Sequence, residues 1–180
     1  MREVQVSQIT ETIRRLCIES NYYLTDDIKK RFIEARDSEQ SPVAKNIMDI
    51  LIENADIAAN EDRPMCQDTG VAVVFIEMGQ DVHVVGGSLE DAINEGVRQG
   101  YTDGFLRKSV VKDPLDRVNT GDNTPAIIHY DIVRGDTFKI TVAPKGFGSE
   151  NMSQLKMLRP ADGIEGIKEF VLKVVQEAGP

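Results

Sequence analysis

The sequence is short of positive charge, of cysteine and histidine, and of long apolar runs, and each shortage removes a class of protein. Its 21 Lys and Arg face 30 Asp and Glu, for a formal net charge of -9. With no Lys/Arg run making a basic stripe, that balance argues against nucleic acid as a partner, and an anionic ligand needs locally placed Arg or Lys. No stretch approaches the run of about 20 apolar residues that a membrane span requires. The N-terminal Met1, Arg2, Glu3 and Val4 lack the apolar segment of a secretory signal. The two cysteines, Cys17 and Cys66, are far apart in different contexts, unlike a disulfide-rich secreted scaffold. These absences predict a soluble cytoplasmic protein with no membrane partner, in a reducing compartment.

What is present suffices for one substantial core: 180 residues with 41% hydrophobic content predict a single domain over 1–180. Ile9, Ile13, Leu16 and Cys17 recur at helical spacing, which makes Cys17 a small core residue on an apolar face. Thr25 is placed to cap a second helix over 26–34, and Ser41-Pro42 opens a third that carries Ile47, Ile50 and Leu51. After Arg63-Pro64 the period changes. Residues 71–77 and 82–85 read as strands on either side of the turn residues Gly79, Gln80 and Asp81. Ser88 caps a helix over 89–101, with Leu89, Ala92, Ile93 and Val97 on one side.

Further on, Ile128, Tyr130 and Ile132 alternate with His129 and Asp131, and Arg134-Gly135-Asp136 predicts a hairpin into Phe138, Ile140 and Val142. A last helix over 161–176 places Ile164, Ile167, Val171 and Val175 on a buried stripe. The order predicts an α+β fold, with N-terminal helices followed by a mixed or antiparallel sheet with hairpins and packing helices. Residues 102–124 form the one long irregular segment, and loops of that length often carry function.

Three polar, glycine-containing segments interrupt this pattern at element borders: Met65-Cys66-Gln67-Asp68-Thr69-Gly70, Val118-Asn119-Thr120-Gly121-Asp122-Asn123 and Lys145-Gly146-Phe147-Gly148-Ser149-Glu150-Asn151. At such borders backbone can approach a ligand and a rigid element can aim a side chain. Local chemistry leaves Cys66 open as a metal ligand, a nucleophile or a buried passenger. A nucleophile needs a base, and His83 and His129 alternate with apolar neighbours on strands, which points to solvent-facing or structural roles. No second Cys or His stands at zinc-finger spacing from Cys66. The glycines after Lys145 suit anion binding by backbone amides but lack the Gly-Lys-Ser/Thr ending of a phosphate loop, and a plain turn is the alternative. Arg107 has the planar fork that grips a carboxylate, set against an ordinary exposed arginine.

Taken together and in order, Cys66-Gln67-Asp68-Thr69-Gly70, Asn119-Thr120-Gly121 and Lys145-Gly146-Phe147-Gly148-Ser149 resemble the signature of class I, iron-sulfur-dependent fumarases and the related tartrate dehydratases. Arg63-Pro64-Met65, Gly86-Gly87, Leu106-Arg107, Pro114-Leu115 and residues 123–126 extend the likeness over almost the whole chain. The Gly148-to-Ser153 form is similar to that of two-subunit members. The resemblance implies reversible hydration of fumarate to malate at a 4Fe-4S cluster held by three cysteines. Cys66 would be one metal ligand. Gln67 and Asp68 would contact the dicarboxylate substrate, with Asp68 the catalytic proton donor or acceptor. Arg107 would bind a carboxylate, backbone around Gly148 would position the substrate, and Asn119, Lys145 and Asn151 would line or back the pocket.

The same resemblance implies a beta subunit as partner, within a homo- or hetero-oligomer. It also marks a departure. Family alpha subunits continue past this length into a Cys-Pro-Pro that supplies a second ligand, so the chain reads as an N-terminal portion without its C-terminal cluster-binding segment. One of three cysteine ligands is then present, and the isolated chain is expected to be inactive and to expose an apolar face that favours self-association. An L-tartrate dehydratase subunit and a noncatalytic partner-binding module are the alternatives.

Overall fold

The computed structural model describes residues 1–179. It forms two compact units, residues 1–146 and residues 147–179, and combines helices with mixed sheets in an α+β fold.

In the first unit, β1 (Arg2–Gln5) leads into α1 (Val6–Tyr22), followed by α2 (Asp26–Ser38) and α3 (Pro42–Asn60). Local chemistry sets these boundaries. Ser41 Oγ accepts from the Ala44 amide ahead of Pro42, which suits the first helical position because its missing N–H has no partner there anyway. Thr25 takes the cap position of α2, but its hydroxyl turns to the Asp27 carboxylate rather than to a backbone amide. β2 (Val71–Gly79) and β3 (Val82–Val85) precede α4 (Leu89–Asp103), whose N-terminus is closed by Ser88 Oγ accepting from the Asp91 amide at 3.3 Å. β4 (Ile127–Val133) and β5 (Phe138–Lys145) complete the unit.

Neither expected hairpin forms. β2 lies in the middle of a three-stranded sheet ordered β4-β2-β5, parallel to β4 and antiparallel to β5, while β3 leaves to pair in parallel with β1. The physical reason lies at the end of β2. Residues 134–137 pass over it, with the Gly79 amide donating to Thr137 O at 2.7 Å and the Asp81 amide to Gly135 O at 2.9 Å. A Cβ on Gly79 would stand 2.2 Å from the Gly135 oxygen, so glycine is what lets the crossing close. The Arg134-Gly135-Asp136 turn exists, but the strands it joins are held apart by β2.

The core lies between this sheet and the α1/α4 pair. Ile9, Ile13 and Cys17 of α1 meet Ile93, Val97 and Tyr101 of α4 over Ala72, Val74 and Ile76 of β2. The two helices approach closely at Gly96 and Gly100, where added Cβ atoms would fall 2.6 Å from Thr10 O and 2.8 Å from Cys17 Cβ. A small Cys17 in the core, as the helical spacing predicted, is therefore fitted to a glycine opposite it.

In the second unit, α5 (Gly163–Ala178) follows two short 3-10 turns. Its stripe of Ile164, Ile167, Val171 and Val175 is exposed rather than buried, at 52–70%. Among its described residues this unit offers no second long helix or strand to cover that side. Among the described residues no helix is long and apolar enough to cross a membrane.

Candidate functional site

One end of the central sheet collects most of the residues singled out in the sequence. The segment 65–70 enters β2 there, β5 ends there at Lys145, and the chain from Arg107 to Asn123 folds alongside. Cys66 is exposed on this segment, while Cys17 is buried and its thiol is pushed up to about 12 by desolvation.

The exposed thiol does not hang on a slack loop. Ahead of it, the Met65 amide donates to Asn21 O at 2.9 Å and the Met65 carbonyl accepts from Asn54 Nδ2 at 2.9 Å. Behind it, the Asp68 amide donates to Cys66 Sγ at 3.4 Å, and Asp68 Oδ1 accepts from the Gly70 amide at 3.2 Å, curling residues 66–70 into a tight turn. Gly70 has a φ of +61°, and a Cβ there would lie 2.0 Å from Lys145 O, so this turn presses directly on the end of β5. Asp68 Oδ2 in turn lies 2.9 Å from where a Gly146 Cβ would be.

Buried polar groups tie the turn to the long segment after α4. Tyr101 donates its hydroxyl to Thr69 O at 2.7 Å, and Thr69 Oγ1 donates to Arg107 O at 3.1 Å. Asn123 Nδ2 donates to Gly70 O at 3.0 Å, and its Oδ1 accepts from the amides of Ser109 and Val110. Asn119 shapes the same segment, with Nδ2 donating to Lys108 O at 2.9 Å and Oδ1 accepting from the Gly121 amide at 2.7 Å. Partial burial pushes the neighbouring Asp122 carboxyl up, but hydrogen bonds from Thr124 and the Arg98 guanidinium outweigh it and hold the group down at about 2.

Cys66, Gln67, Asp68, Arg107, Asn119 and Lys145 thus belong to one framework, with the Cys66, Gln67 and Arg107 side chains exposed and Asp68 half-buried. Gly148 and Asn151 lie in the second unit, where Asn151 Nδ2 donates to Gly148 O at 3.3 Å. The framework residues Thr69, Tyr101, Asn123, Asn21 and Asn54 were not picked out as site residues from the sequence. The bonds that Asn123 makes reach backbone 13, 14 and 53 positions away, which no local pattern announces.

The chemistry on offer is a thiol in the open, a carboxylate two residues on, and a guanidinium fork. An amide donor on the Cys66 sulfur suits iron-sulfur ligation, where hydrogen bonds to sulfur are among the features that tune the centre. Cys66 fits one ligand position of such a cluster, and among the described residues no group of three or more His, Cys, Asp or Glu could hold a metal ion on its own.

The family model described as fumarate hydratase (Fumerase) matches residues 10–180. A protein of Methanocaldococcus jannaschii, provisionally named L(+)-tartrate dehydratase subunit alpha, is 41% identical over 96% of this chain and 62% of its own length. Proteins named L(+)-tartrate dehydratase subunit alpha from Escherichia coli and Shigella sonnei are 29% and 28% identical, over 96% of this chain and 57% of theirs. The chain therefore spans about three-fifths of the length of these relatives.

Proposed function

The chain belongs to the fumarate hydratase (Fumerase) family, and from that premise we propose that it is the N-terminal portion of the alpha subunit of an iron-sulfur hydro-lyase that interconverts fumarate and malate. The observation that carries the reading is the exposed Cys66 on a turn pinned at both ends, with Asp68 inside the turn and the Arg107 backbone tied to it through Thr69.

In this reading Cys66 supplies one of three thiolates to a 4Fe-4S cluster, with the other ligands coming from outside residues 1–180. When bound, the cluster supplies a Lewis-acidic iron that polarises the substrate's hydroxyl and carboxylate oxygens. Arg107 grips one carboxylate of the dianion through two parallel N–H donors, supplying local positive charge in an acidic chain. Gln67 donates to the substrate from the adjoining position. Asp68 moves the proton at the carbon next to the carboxylate, or at the departing hydroxyl, from a carboxylate whose orientation is set by the Gly70 amide. Asn119 and Lys145 shape the surround. A beta subunit completes the pocket and the assembly is oligomeric. The enzyme works in the cytoplasm, where an exposed thiol stays reduced.

A tartrate-specific enzyme is the second reading, favoured by the names of the relatives above. Substrate choice between the two is decided by pocket contacts to one additional hydroxyl. Turnover of fumarate, malate and L-tartrate by the anaerobically prepared two-subunit assembly tests both. Fumarate hydration as the fastest reaction supports the first reading; negligible fumarate turnover beside rapid tartrate dehydration replaces it with the second, and turnover of none overturns the hydro-lyase assignment.

A further inference from the structure

The turn at residues 66–70 and the segment beginning at Arg107 are joined twice, and both ties are made by side chains with almost no solvent exposure. Thr69 is 2% exposed and Asn123 is 0% exposed. Thr69 Oγ1 reaches the Arg107 carbonyl at 3.1 Å. From the other side, Asn123 holds Gly70 O at 3.0 Å with its amide donor, and takes the Ser109 and Val110 amides at 2.7 and 3.1 Å with its oxygen. Burying a hydroxyl or an amide costs stability unless its polar groups are paired. A valine at position 69 would fill nearly the same space with no polar atom to satisfy. What the threonine hydroxyl adds is register between two stretches of backbone 38 positions apart.

Resting on the hydro-lyase reading above, we propose that Thr69 and Asn123 are positioning residues that set the carboxylate-gripping fork of Arg107 in register with Asp68. Thr69 adjoins Asp68 in the chain and bonds the backbone of Arg107 itself, while Asn123 fixes the residue after Thr69 and the two residues that follow Lys108. The Arg107 side chain is exposed, so packing does little to restrict it, and the direction of its fork follows from the backbone that launches it. An arginine launched from loose backbone must be ordered when substrate binds, and that ordering lowers affinity.

Three substitutions in the assembled enzyme separate positioning from bulk stability. Thr69→Val keeps the shape and removes the hydroxyl; Thr69→Ser keeps the hydroxyl and removes a methyl. Asn123→Asp keeps the oxygen that serves Ser109 and Val110 and removes the donor to Gly70. The KM for the dicarboxylate rises about tenfold in Thr69→Val and Asn123→Asp with a smaller change in kcat, and stays within about twofold of the parent in Thr69→Ser. Amide exchange across residues 107–110, followed by mass spectrometry on the same proteins, needs no turnover. It accelerates about tenfold in Thr69→Val and not in Thr69→Ser. Unchanged exchange in Thr69→Val overturns the tie itself. Faster exchange with an unchanged KM, or equal KM rises in the Val and Ser variants, overturns the positioning role. A parent assembly that turns over no dicarboxylate while the exchange pattern holds overturns the hydro-lyase reading, and the positioning role falls with it.

Discussion

The carbonyl oxygen of Lys145 stands 2.0 Å from the point where a Cβ on Gly70 would be. This contact seats the Cys66 turn on the end of β5, and Gly70 also holds a φ of +61°, so no other residue fits on either count. Gly70→Ala should destabilise the chain by about 3 kcal/mol or more, because the backbone itself must shift. Gly121 has a φ of +84° but nothing within 4 Å of its absent Cβ. Gly121→Ala should cost only about 1 kcal/mol, from left-handed strain alone. Equal denaturation midpoints for the two variants would contradict this distinction.

Cys17 and Tyr101 give the fold an alkaline limit. Burial pushes the Cys17 thiol from an ordinary 9.0 up to about 12, and burial, with smaller contributions from Cys17 and Asp68, raises the Tyr101 phenol. The folded chain therefore keeps protons that the unfolded chain releases. Stability is full below about pH 9 and falls as pH rises toward 12. Denaturant melts between pH 8 and 11 should show a steady loss, smaller in Cys17→Ala. One thiol, Cys66, should react with a thiol reagent in the native chain, and the second only on unfolding. A flat stability profile, or two thiols reacting at one rate, would count against this burial.

Asp122 gives an acid limit of opposite sign. Its carboxyl stays ionised down to about 2 in the fold against 3.8 otherwise, so its contribution is present above pH 3.8 and lost as pH falls toward 2. Asp122→Asn should destabilise the chain by about 1–2 kcal/mol at pH 7. The gap from the parent should narrow between pH 4 and pH 2. A gap constant over that interval would mean that Thr124 and Arg98 do not recognise the charge.

Under the proposed function, Asp68 and Arg107 should fail in different ways. Asp68→Asn keeps the Oδ1 acceptor that the Gly70 amide uses, so folding is retained while kcat falls about 10² to 10⁴-fold. Arg107→Lys keeps the charge but loses the fork, and KM should rise about tenfold or more with a smaller effect on kcat. Steady-state kinetics of the assembled enzyme separate these outcomes, and an Asp68→Asn enzyme of parental kcat would remove Asp68 from proton transfer.

The helices were legible in the sequence because their signals are local: Ser41 and Ser88 as caps, Pro42 at a first position, and the Ile9/Ile13/Cys17 spacing. The strand partners were not. The Arg134-Gly135-Asp136 turn chemistry announces a hairpin, yet β2 lies between the two strands, and that placement depends on a contact between Gly79 and Gly135 that are distant in sequence. Periodicity marks the α5 stripe as apolar and predicts its burial, but the stripe is exposed, since periodicity reports which side seeks burial and not whether a cover is present. At the site, the chemical residues Cys66, Asp68 and Arg107 stood out by type. Thr69 and Asn123 did not, because a buried hydrogen bond to backbone leaves no pattern in the sequence.

The claim that matters most is that Cys66 holds the cofactor beside Asp68 and Arg107, and iron binding reads it most directly. The subunit at the length of its relatives, together with its partner, is reconstituted anaerobically with iron and sulfide, and iron and visible absorption are measured for the parent, Cys66→Ser and Cys17→Ser. The account predicts about four irons per alpha subunit and a sulfur-to-iron absorption band in the parent and in Cys17→Ser, and loss of both in a folded Cys66→Ser. A Cys66→Ser protein that keeps its iron and its turnover would contradict the account at its centre.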